Sequence, residues 1–120
     1  MATIQGTPTL SIDFHGTPAA TITVDAQVTF AANENPLTAS ANCRLVGDDP
    51  IADDFILSFD THFFAGNPAP AQAVRFVRTN VSRAVLNEDV IGADELVGEV
   101  ALAVAGGPTV KKRTNIVQLA

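Results

Sequence analysis

Apolar and polar residues alternate along much of this chain with a period of two, the repeat that places successive side chains on opposite faces of a strand. The clearest case is 21–31. Ile22, Val24, Ala26, Val28 and Phe30 fall on one face, and Thr21, Thr23, Asp25, Gln27 and Thr29 on the other. The pattern predicts a long half-buried strand. Leu10, Ile12 and Phe14 repeat it over 9–15, and Gly16-Thr17-Pro18 marks the turn between the two. Ala39, Ala41, Cys43 and Leu45 predict a third strand with a small-residue inner face. The stretch 54–64 predicts a fourth, with Phe55, Leu57 and Phe59 on one face.

Val74–Leu86 carries both readings. Val74, Val77, Val81 and Val85 fit a helical spacing, but four valines and a threonine favour a strand, with a bulge or a break. The stretches 96–105 and 110–119 complete the set, joined by a hairpin turn at Gly106-Gly107-Pro108. Seven or eight short strands punctuated by turns predict an all-β fold, a single antiparallel β-sandwich spanning 1–120.

Length and composition agree with a folded domain. The chain has 120 residues, 47% of them hydrophobic and 17% charged, a balance outside the range of disordered segments. The net charge of −6 argues against nucleic acid, which requires a basic footprint for its phosphates. There is no Trp and no Tyr, so the side chains that most often stack on sugars are missing and a carbohydrate-binding role is not expected. Cys43 is the single cysteine, which excludes an intramolecular disulfide and favours a reducing compartment. The N-terminal residues show no Sec-type signal, and no stretch reaches the ~20 apolar residues of a membrane span. The expectation is a soluble protein, cytoplasmic or part of a larger particle.

The charges are segregated. Nine of the 13 acids lie in 48–60 and 88–95: Asp48, Asp49, Asp53, Asp54, Asp60, Glu88, Asp89, Asp94 and Glu95. Six of the 7 bases are Arg75, Arg78, Arg83, Lys111, Lys112 and Arg113. If the two strands bearing these bases pair, they form a basic stripe suited to a protein partner, to a second copy of the chain, or to anionic lipid. Phe63 and Phe64, beside the Pro-rich stretch 66–70, make a candidate apolar contact patch.

The stretch 87–100, Asn-Glu-Asp-Val-Ile-Gly-Ala-Asp-Glu-Leu-Val-Gly-Glu-Val, resembles the third calcium loop of C2 domains. The resemblance implies a calcium-responsive β-sandwich that binds anionic membrane or a protein. It puts Asn87, Asp89 and Glu95 at ligand positions and Gly92 at the turn, with Asn87 and Glu95 standing where the family carries other carboxylates. Ca²⁺ is the one cofactor implied.

No catalytic set stands out. His15 and His62 are far apart, Cys43 falls on an inward face, and no nucleophile elbow, phosphate loop or zinc spacing occurs. The sequence therefore points to a non-enzymatic structural, assembly or interaction subunit, with the C2-like calcium module as the alternative.

Overall fold

A computed structural model describes residues 2–14, 19–30, 39–47, 54–64, 71–82, 86 and 94–119. Among them are nine strands: β1 (Thr3–Asp13), β2 (Ala19–Thr29), β3 (Ala39–Gly47), β4 (Asp54–Ser58), β5 (His62–Phe63), β6 (Ala71–Ser82), β7 (Asp94–Val104), β8 (Val110–Arg113) and β9 (Val117–Leu119). They form two antiparallel sheets packed face to face, as the alternation predicts. One has three strands in the order β1-β2-β6. The other has six, built on the path β4-β3-β7-β8, with β5 also on β3 and β9 also on β7.

The inner faces carry the residues that the period of two assigns to them. Ile22, Val24, Ala26 and Val28 of β2 are buried against Ala41, Cys43 and Leu45 of β3 and Leu96, Val100 and Leu102 of β7, in one apolar core that also takes in Leu86. Val74, Phe76 and Val81 add the β6 contribution. The stretch 71–82 is thus a strand, as its valines predict. The alternate residues of β1 and β2 make an outer face of Thr3, Thr9, Ser11, Thr21, Thr23 and Thr29. There Arg75 lies directly opposite Asp25 and pairs with its carboxylate at 2.7 Å.

Three irregularities change what the alternation predicts. Ile56 is an extra residue on β4, between the Leu45–Leu57 and Val46–Phe55 pairs. A bulge of one residue turns every later side chain to the other face. Leu57 and Phe59 are inside as expected, but Phe55 is turned out and is 58% exposed. Likewise β6 carries one residue more than β2 between the Arg78–Ile22 and Val81–Ala20 pairs. Asn80 absorbs it with a φ of 59°, a left-handed conformation that Asn tolerates better than most residues. Third, the stretch 110–119 does not run as one strand. It breaks at Thr114, whose backbone N–H donates to Gly98 O at 2.9 Å and whose hydroxyl accepts from Gly98 N–H at 2.8 Å. Gly98 lacks a side chain for a spatial reason: a Cβ there would lie 3.0 Å from Thr114 Cγ2 and 3.3 Å from Val24 Cγ2. The hairpin turn falls where expected, closed by Gly107 N–H to Val104 O at 3.0 Å, with Gly106 at a φ of 79°.

Polar side chains tie the two sheets together along their rims. Asn115, just beyond Thr114, accepts from Leu10 N–H at 2.8 Å and donates to Leu10 O at 3.2 Å. Lys112, on the core-facing side of β8, reaches across to Gly6 O on β1 at 3.0 Å. On the opposite rim Arg78, on the core-facing side of β6, donates to Ser58 O on β4 at 2.7 Å. Among the described residues, no helix is long and apolar enough to cross a membrane.

Candidate functional site

The five described bases of the expected stripe do not share a surface. β6 pairs with β2 and β8 pairs with β7, so the two strands belong to different sheets. Within each strand, alternation separates the charges further. Arg75 lies on the Thr-rich face, where its hydrogen bond to Asp25 raises its pKa. Arg78 and Lys112 are taken up by the carbonyls of the other sheet. Lys111 and Arg113 point outward from the six-stranded sheet. Arg83 lies outside the described residues.

The outer face of the six-stranded sheet is where chemistry gathers. Register arranges it in rows across the strands. One row is Ser58, Arg44, Glu99 and Arg113. Arg44 donates to Glu99 Oε1 from Nε at 3.0 Å and from Nη2 at 2.9 Å, and Arg113 Nη2 lies 3.5 Å from Glu99 Oε2. The next row holds Asn42, Ala101 and Lys111, with the Thr61 hydroxyl donating to Asn42 Oδ1 at 2.6 Å. Apart from Arg113, the charged and polar residues of these two rows line a hollow of about 430 Å³, walled on one side by Phe55 of β4 and by Thr61 between β4 and β5. The two rows together carry three cations and one carboxylate, of which Arg44, Lys111 and Glu99 line the hollow itself, a formal charge of +1 there on a chain of −6. Arg44, which lines the hollow, was absent from the sequence-derived candidates because it is a lone cation between Cys43 and Leu45, with no other charge near it in the strand.

The row at one end is apolar, and the row at the other places Phe63 and Ala103 on either side of Ser40. On one side Phe55 is opposite Val46, and Val46 opposite Val97. On the other, Phe63 is opposite Ser40, and Ser40 opposite Ala103. Phe63 is 75% exposed and borders a second hollow of about 270 Å³ with Ala39, Ala103, Val104 and Ala105. Phe64 points the other way. It is half-buried, with its ring 5.0 Å from Phe30 and 4.8 Å from His62, and packs on the core. The candidate aromatic pair therefore divides into one surface and one structural residue, and Phe55 joins Phe63 on the surface.

Of the positions that the C2-like stretch implies, Glu95 is an exposed residue of β7, while Asn87, Asp89 and Gly92 lie outside the described residues. No group of three or more His, Cys, Asp or Glu side chains suited to a metal occurs among the described residues. The Cys43 thiol is buried, and desolvation, helped by the Glu99 charge, pushes its pKa up to about 12. Such a thiol keeps its proton at neutral pH and is a poor nucleophile. Comparison with protein-family models, curated proteins and solved structures finds no match to this chain.

Proposed function

We propose that the chain is a non-enzymatic assembly and protein-interaction subunit whose contact face is the outer face of the six-stranded sheet. The observation that carries this reading is the pair Phe55 and Phe63, both more than half exposed and both on that face, at either end of a polar, net-positive centre. Exposed aromatic side chains are enriched on surfaces that are covered in use. The proton held on the buried Cys43 thiol supports a non-enzymatic role for that residue. Sedimentation of the wild type and of a Phe55→Ser, Phe63→Ser variant over a range of concentrations tests the reading.

The calcium-responsive alternative, acting on anionic membrane or a protein, draws on one observation. Gly47 is paired with Asp54 and with Leu96, so the connections 48–53 and 87–93 both leave the same end of the six-stranded sheet. These connections and the residues beside them carry eight of the 13 acids. Calcium titration of the melting temperature tests it.

A further inference from the structure

The outer face of the six-stranded sheet pairs a net-positive hollow with an apolar one, and their spacing is set by strand geometry. Arg44 and Lys111 line the first, and Phe63 with Ala103 and Ala105 the second. Along β3 the two centres are two to four residues apart, from Asn42 and Arg44 to Ser40, or about 7–13 Å.

From this placement, and resting on the interaction reading above, we infer that the face receives an extended acidic segment of a protein partner. Its Asp or Glu would lie against Arg44 and Lys111, and a large apolar residue two to four positions away would lie against Phe63. Charge complementarity selects this occupant. The lining of the hollow has one more cation than carboxylates, Arg44 and Lys111 against Glu99, on a protein whose net charge would repel acidic segments elsewhere. The Arg44–Glu99 contact demonstrates the chemistry at the same spot, since a carboxylate already sits against that guanidinium at 2.9–3.0 Å. Lys111 forms no ion pair among the described residues and is exposed, so its ammonium is available to an incoming carboxylate. A strand-like ligand suits the surface because each residue pair of an extended peptide advances by the spacing of one row.

The test is selection of a random twelve-residue peptide library, displayed on phage, against the full chain, with Lys111→Glu and Phe63→Ser as comparison targets. Both positions are exposed, and circular dichroism verifies that each variant folds. Enriched sequences are expected to carry Asp or Glu two to four positions from Leu, Ile or Phe. A labelled representative is expected to bind about tenfold more weakly to either variant and to weaken as salt is raised. Self-association that this peptide competes away would identify a second copy, through its own acid-rich stretches, as the acidic partner. Enriched sequences without acids, or binding unchanged by Lys111→Glu, would overturn the inference and leave the contact face standing. No enrichment together with binding to phosphatidylserine vesicles that Lys111→Glu abolishes would overturn it in favour of lipid. No enrichment, with a wild type that is monomeric at every concentration, would overturn both the inference and the interaction reading.

Discussion

Asn115 treats Leu10 as a strand would: its side-chain amide accepts from the Leu10 N–H and donates to the Leu10 carbonyl, at 2.8 and 3.2 Å. β1 is an edge strand of the three-stranded sheet, and Leu10 is buried in the core. One side chain thereby satisfies two backbone groups of β1 and clips the two sheets together. Asn115→Ala is expected to destabilise the fold by about 1–2 kcal/mol, measured by urea unfolding, because both groups lose their partner. Asn115→Asp keeps the acceptor and loses the donor, so an intermediate effect is expected.

Gly98 makes a second prediction. Its backbone holds both the N–H and the hydroxyl of Thr114, the buried polar residue at the break between β8 and β9. Gly98→Ala would place a methyl 3.0 Å from Thr114 Cγ2. Forcing these atoms apart is expected to cost about 1–3 kcal/mol. Thr114→Ser in the Gly98→Ala background removes the clashing methyl and is expected to recover part of that loss, read as non-additivity in a double-mutant cycle.

Cys43 links burial to pH. Its folded pKa of about 12 lies above the ordinary thiol value of 9.0, mainly through desolvation. The native state therefore holds a proton that the unfolded chain releases first. The stability from this group is fully present below pH 9 and is lost as pH rises toward 12. Melting curves at pH 8 and at about pH 10.5 are expected to show a larger decrease for the wild type than for Cys43→Ala. At pH 8 a thiol reagent is expected to react with Cys43 at the rate of unfolding, and rapid labelling of the native protein would contradict the assignment.

Calcium separates the two functional readings. A working site saturated at 100 times its dissociation constant would raise stability by about 2.7 kcal/mol. The interaction reading expects millimolar Ca²⁺ to leave the melting temperature where it is. A calcium-dependent increase that Asp89→Asn removes would instead favour the C2-like module.

Much of the fold was legible because β2, β3 and β7 are regular, and a period of two read from them converts directly into inside and outside. Phe55 was misplaced because a single bulge at Ile56 reverses parity, and no residue in the stretch advertises it. The basic stripe was misread for a different reason. Alternation gives the face of a residue within its strand, but the pairing of β6 with β2 and of β8 with β7 is a long-range choice. Arg78 and Lys112 are exposed, and only the packing of the sheets reveals that each reaches a carbonyl of the other sheet. Arg44 and Glu99 are 55 residues apart in sequence and meet only through the β3–β7 register.

The most direct measurement is sedimentation velocity from micromolar to millimolar concentration on the wild type and on the Phe55→Ser, Phe63→Ser variant. Both side chains lie outside the core, so the variant is expected to melt with the wild type. The account predicts that the wild type sediments above its 12.5 kDa chain mass as concentration rises and that the variant stays at that mass. Association that is undiminished in the variant would contradict it, and a wild type that remains a single chain throughout would refute self-assembly and leave only a different protein as the occupant of the face.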